Sequence, residues 1–367
     1  MGEPHWVNSF WDDELWLPPN VTWKDLESTE IVQYANFYDL WLPIPAAFIV
    51  MSLRILIERY IFRPFGVHLG LRPHRHRPAP PNSILERQFH KSPRVSHDDI
   101  TVLATQAKMS TRQIERWFRK RVAQDRPTTL EKFAETGWRW LYYSFMFVYG
   151  LVCLWDKPWL WDIRHCWFHY PRHPVPQGVW WYYMVELSFY WSLAISQFFD
   201  VKRKDFWEMF IHHAITILLM SMSWTCNLTR VGTLVLVIHD CADILLEAAK
   251  MCKYTNYQTL CDIIFGCFAV TWIVTRLGVY PSWILYSTTI DAPQIVEMFP
   301  AYYLFNGLLS MLLVLHVIWT YFILKILYKA FHTGKTEKDT RSDSSAITLS
   351  SNPSSSLEGE ENHNKQD

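Results

Sequence analysis

Six ionisable side chains interrupt two apolar runs in the middle of this chain: His212 and His213 in the first, His239, Asp240, Asp243 and Glu247 in the second. The runs, 206–226 and 231–249, each reach the length of about 20 residues that a helix needs to cross a bilayer. Ionisable groups inside hydrocarbon are costly, which makes them candidates for function. Residues three and four apart share a helix face, so Asp240, Asp243 and Glu247 line one side of the second helix, with His239 one turn from Asp243. Only a few residues separate the runs, so the two helices form an antiparallel hairpin. At the helical rise per residue, His212 lies about 9 Å from the Lys202-Arg203-Lys204 end, and Asp243 about 10 Å from the Lys250 end. Those ends share a membrane side, so imidazole and carboxylates meet at one level. Adjacent histidines diverge by about 100° around a helix, so His212 and His213 do not face the site equally. An imidazole oriented by a carboxylate in a dry site is a general base or a nucleophile. The competing role for the same groups is a polar network bracing two helices. The expected catalytic set is His212, His213, Asp240 and Asp243.

The elements that must position this set are helices in a membrane. A length of 367 residues allows two or three soluble domains, but 50% of them are hydrophobic, with 20 Trp, 18 Tyr and 22 Phe. Further apolar runs lie at 42–62, 138–154, 179–199, 260–280 and 302–328, for a total of about seven transmembrane helices. The first begins at Pro43 and Pro45, where proline is tolerated. The expected fold is therefore an all-α polytopic membrane protein. Net charge is zero and says nothing about partners, but its distribution does. Residues 1–41 hold eight acidic residues against Lys24, while 59–135 hold sixteen Lys or Arg against seven acidic residues. The positive-inside rule then places the N-terminus in the lumen and the C-terminus in the cytosol. The sequon at Asn20 becomes a glycosylation site, and the one at Asn227 sits in the short central turn, too near the bilayer. No cleavable signal peptide and no KDEL-type ending are read at the termini. Seven cysteines, mostly in apolar runs, form neither a disulfide framework nor a metal pattern, and read as small core residues.

Glu186 and Arg276 are two more charges inside apolar runs; each either lines the site or braces the bundle. Tyr183, Tyr190 and Trp191 around Glu186 read as packing residues. Lys202, Arg203 and Lys204 could bind an anionic substrate group or serve only as a positive-inside anchor. The tail, 333–367, is Ser-rich and polar and reads as disordered and cytosolic. Within it Ser355, three residues before Glu358 in an acidic run, reads as a phosphorylation site of low specificity.

Between the first two spans lies a soluble basic segment, opened by the Pro-rich RPHRHRPAPPN. Ser83 with Glu86, Ser96 with Asp99 and Ser110 with Gln113 mark three helix starts. Three short helices ending in Trp117-Phe118 and a basic cluster resemble a homeodomain over 80–128. The asparagine that reads adenine in such domains is replaced by Lys120, and Val122-Ala123 stand where Arg-Asn is common in the related inserts. Sequence-specific DNA binding is therefore not expected.

The central hairpin closely resembles the signature region of the ceramide synthases, within the TLC-domain membrane family. The residues that carry this are DVKRKDF (200–206), His212-His213, RVGTLVL (230–236), His239-Asp240, Asp243 and LLEAAKM (245–251). WLPPNVTW (16–23), ELSFYWSL (186–193) and TRLGVYPSWIL (275–285) extend it. The resemblance implies a TLC catalytic domain over 129–332, located in the endoplasmic reticulum membrane. It also implies N-acylation of a sphingoid base by fatty acyl-CoA, with acyl-CoA as a substrate and no cofactor or metal. Expected substrate-binding residues are Lys202, Arg203, Lys204, Glu186, His239 and Arg276. Expected partners are acyl-CoA, a sphingoid base, membrane lipids and a second such chain in a homo- or hetero-dimer. By the same resemblance the last luminal loop, 286–300, influences acyl chain length. Three other classes compete: a non-enzymatic TLC-domain lipid transport or translocation accessory, a membrane di-iron hydroxylase and a membrane-tethered DNA-binding regulator. The first needs no acid–base site, the second needs more histidines than this hairpin has, and the third lacks the reading asparagine.

Overall fold

The structure, a computed structural model, describes residues 11–72, 78–92, 95–124, 127–200 and 206–333. Lys202, Arg203, Lys204 and the tail with Ser355 lie outside the described residues. Every regular element among the described residues is helical. The chain forms two compact units, one drawn from the segments before 73 and after 127, the other from 74–126.

The larger unit holds seven long helices, which stand where the seven apolar runs lie. They are α1 (Pro43–Ile57, running on to His68), then α5 (Thr129–Leu154), α6 (Gln177–Ser196), α7 (Phe206–Thr225), α8 (Thr229–Tyr254), α9 (Gln258–Trp272, running on to Ile295) and α10 (Pro300–Thr333). Among the described residues three stretches are long and apolar enough to cross a membrane: Phe37–His68, Gln258–Ile295 and Pro300–Ala330. The other helices dilute their apolar content with the Trp, Tyr, His and charged residues that make the centre of the bundle. Local signals fix the helix ends. Thr128 accepts from the Glu131 amide while the Glu131 carboxylate accepts from the Thr128 amide, a reciprocal cap on α5. At Gly232 on α8 a Cβ would collide with the Tyr183 hydroxyl of α6, so only glycine permits this approach.

Two expectations change. The sixth span does not end near 280, and 286–300 is not a loop: α9 continues through widened turns to Ile295, leaving only 296–299 before α10. Pro281 lies inside these widened turns, which accommodate the donor it lacks. From residue 11 on, the N-terminal segment packs against the bundle. Trp16, Leu17 and Leu26 join the main core, and the indoles of Trp224 and Trp180 donate to Asn36 O (2.9 Å) and Asp39 Oδ2 (3.1 Å). Asn20 is exposed on a turn with φ 67°, whereas Asn227 is buried.

The smaller unit contains α2 (Ser83–Lys91), α3 (His97–Ala107) and α4 (Thr111–Gln124). The Ser96–Asp99 and Ser110–Gln113 caps form as read. The first start is shifted: Asn82, not Ser83, caps α2, accepting from the amides of Ile84 (3.1 Å) and Leu85 (3.2 Å). Leu85, Ile100, Leu103, Ile114, Trp117 and Phe118 make its core. Arg112, Arg116, Arg119 and Lys120 stay exposed on α4.

Candidate active site

Helices α6 to α10, with contributions from α1, α5 and the α5–α6 connector, line two cavities that meet at four residues: Tyr190, His212, Asp243 and Arg276. The first cavity is an apolar chamber. Below His212 it follows Thr216, Leu219, Met220 and Ser223 down one face of α7, a run of about 17 Å at the helical rise. Residues of α8 and α10 line its sides, and Trp167, Tyr170 and Phe299 close its far end. The second cavity is a vestibule that carries charge, with Arg54, Arg139, Lys250 and Lys253 facing Glu135, Asp200 and Glu247. Within it Arg139 pairs with Glu135 (2.5 Å) and Glu247 (3.4 Å), and Lys250 with Glu247 (2.8 Å).

Arg276 organises the junction. Its guanidinium is only 2% exposed and lies 4.7 Å over the Trp272 ring. One arm donates to the His239 carbonyl and reaches Asp243 Oδ2 at 3.5 Å; the other lies 3.3 Å from His316 Nε2. His316 Nε2 in turn lies 3.1 Å from His239 Nε2. The far ring nitrogen, His239 Nδ1, is 2.6 Å from the Val235 carbonyl, which can only accept, so the proton resides on Nδ1. Arg276 thus holds a cation beside Asp243 where a developing negative charge could be met, the arrangement that lowers acyl-transfer barriers.

The expected residues part company here. His212 and Asp243 share the junction, but no hydrogen bond joins them, and His212 Nδ1 has no partner among the described residues. The His212 ring instead meets the Trp319 ring edge to face, 5.0 Å between centroids. His213 faces the vestibule only, its Nδ1 3.1 Å from Gln197 Oε1. His239 lines the chamber. Asp240 lines neither cavity. It is fully buried beside Glu186, also fully buried, and the two carboxyl groups lie within hydrogen-bond reach of each other, so that one shared proton can join them. Three residues turn a helix by about 300°, so Asp240 sits about 60° from Asp243 and faces α6 rather than α9. Glu186 likewise lines neither cavity. Glu247 belongs to the vestibule.

Sequence reasoning passed over His316, Trp319 and Arg139, and read Tyr190 as a packing residue although it lines both cavities. His316 was visible by the rule that singled out His212, since it is the ionisable residue within LLVLHVIW.

With the geometry described, comparison with known proteins places the class. A TLC-domain family profile matches residues 132–325, and a homeodomain profile matches 74–127. Over 335 residues the chain is 44% identical to ceramide synthase 5 of Homo sapiens, covering 91% of this chain and 86% of that protein. It is 43% identical to ceramide synthase 4 of Homo sapiens (91% and 85%) and 35% identical to ceramide synthase hyl-1 of Caenorhabditis elegans (92% and 84%). The chain belongs to the ceramide synthase family, as its central hairpin led one to expect.

Proposed function

We propose that this protein transfers a fatty acyl group from acyl-CoA to the amine of a sphingoid base, giving ceramide or dihydroceramide and CoA. The observation that carries the reading is the position of His212 where an apolar chamber meets a polar vestibule. An acyl chain suits the first cavity, and the phosphates of CoA suit the cations of the second. The thioester carbonyl then lies at the junction. His212 attacks that carbon, the C–S bond breaks, and CoA leaves as the thiol with the imidazole proton. The amine next attacks the acyl-imidazole, the C–N bond to the ring breaks, and the amine proton passes to the departing ring nitrogen of His212, directly or through Asp243. Arg276 offsets charge on the carbonyl oxygen in both steps. In the other route His212 acts only as a general base while the amine attacks the thioester directly. Membrane-embedded protein given sphinganine and labelled acyl-CoA should form N-acyl product; absence of product with every acyl-CoA tried would refute the reading. Given acyl-CoA alone, it should gain one acyl group on His212 and release about one CoA per site, as covalent catalysis requires. No adduct in active enzyme would return His212 to the base role.

We place the protein in the endoplasmic reticulum membrane with a luminal N-terminus, on the charge asymmetry around α1 and the exposed Asn20. Endoglycosidase should shift its mobility, and Asn20→Gln should remove the shift. Asn227 should stay bare, because its Nδ2 is engaged by the carbonyls of Pro171 (2.7 Å) and His173 (2.8 Å). The homeodomain unit presents Lys120 where a base-reading asparagine is expected, so its DNA affinity should be salt-sensitive and indifferent to sequence. A consensus site selected from random duplexes would overturn that.

A further inference from the structure

The chamber ends on the connector between α5 and α6, not only on the segment after α9. Trp167 and Tyr170 of this connector line the end of the chamber away from His212, 4% and 9% exposed. Each spends its polar atom on the scaffold. Trp167 Nε1 donates to Ser287 Oγ at 2.8 Å, and the Tyr170 hydroxyl donates to the Cys226 carbonyl at 2.9 Å. What remains toward the chamber is ring surface, and Tyr170 also stacks on Phe299 at 6.1 Å and 14°. The connector itself is pinned. Asn227 holds the carbonyls of Pro171 and His173, and the Val175 amide donates to Gln33 O at 2.8 Å. On the facing side Thr288 and Ala292 of α9 and Val296 just after it are small, while Met298 and Phe299 add bulk next to the connector rings. The two connector rings are therefore a major part of the bulk that stops a chain.

We propose that Trp167 and Tyr170 form the floor that limits the length of acyl chain the chamber admits, with 286–300 supplying a side wall. This rests on the acyl-transfer reading above. A rigid aromatic floor rejects each added methylene by steric exclusion, while removing ring volume opens room for it. Discrimination of one methylene in an apolar pocket is worth about tenfold or more.

The test uses the full-length protein in membranes with acyl-CoAs of graded length. Trp167→Leu and Tyr170→Leu should raise the rate with chains longer than the wild-type optimum, relative to that optimum, by about tenfold. The ratio is internal to each preparation, so loss of yield does not alter it. An unchanged ratio in an active variant overturns the proposal. Wild-type protein that uses no acyl-CoA at all would refute acyl transfer instead, and so separates the two failures. Should either variant not fold, wild-type protein is irradiated with an acyl-CoA bearing a diazirine on its terminal carbon. Crosslinks should map to the peptide holding Trp167 and Tyr170. Crosslinks confined to α7, α8 or α10 would place the end of the chain elsewhere and overturn the proposal.

Discussion

The chamber and the vestibule open from the same four residues and are built from opposite materials. Both draw on α7 and α8. The chamber takes Thr216 to Ser223 and Leu228 to Leu236, while the vestibule takes Phe206, Met209, His213 and the stretch from Leu246 to Lys253. Polarity here changes along the helix axes, not only around them. On the proposed reading, one pair of helices then holds an alkyl chain at one end and a charged carrier at the other. That reading puts the thioester at the boundary, where His212, Asp243 and Arg276 stand.

The largest expected effect comes from removing the boundary itself. His212→Ala should lower turnover by about a thousandfold or more, with every acyl-CoA, while expression and glycosylation persist. Near-normal activity would show that the two cavities do not meet at a catalytic group. The next comparison sets Asp243, which lines both cavities, against Asp240, which lines neither. Asp243→Asn should cost about a hundredfold in kcat. Asp240→Asn should cost less per folded molecule and act mainly on the melting temperature, through its contact with Glu186. The reverse order would collapse the distinction between the two carboxylates.

A smaller effect separates the cavities from each other. Lys250 is partly exposed in the vestibule and pairs with Glu247 at 2.8 Å. Lys250→Gln should raise KM for acyl-CoA by up to about fivefold, the range of an exposed ion pair, without changing chain-length preference. A shifted chain-length profile would mean that the vestibule also measures the acyl group. The smallest effect concerns the chamber floor. His173 of the connector is pushed down to about 4 by burial, against a contact of Nε2 with the Phe168 carbonyl at 2.7 Å. Its folded form is neutral at pH 7, whereas the unfolded form takes up a proton near the usual 6.5. Stability from this group is thus complete above about pH 6.5 and declines as pH falls from there toward 4. Hydrogen exchange in 163–175, corrected for intrinsic rate, should be faster at about pH 5 than at about pH 7, and His173→Gln should flatten the difference. Equal exchange at both would free the floor from His173.

Much of this was legible without coordinates. Helix identity follows from apolar runs of bilayer length, and the junction level follows from counting residues from the two basic ends of the hairpin. Both are properties of a single helix or of two joined by a short turn, so chain order suffices. His212, His213, Asp240 and Asp243 stood out because an ionisable group among apolar neighbours is costly wherever it is placed. Which neighbour each would meet was another matter. The 60° between Asp240 and Asp243 is small in sequence but decides between α6 and α9, and that choice is set by how three helices pack. Arg276 and His316 reach the site from helices 37 and 77 residues beyond His239, so only packing could join them. The floor was hidden for the same reason: Trp167 meets Ser287 across 120 residues of chain. Composition and periodicity determined that helices would form and that costly groups would lie inside them. Tertiary packing alone decided which of those groups share a cavity, because a side chain's environment depends on the surfaces that close around it.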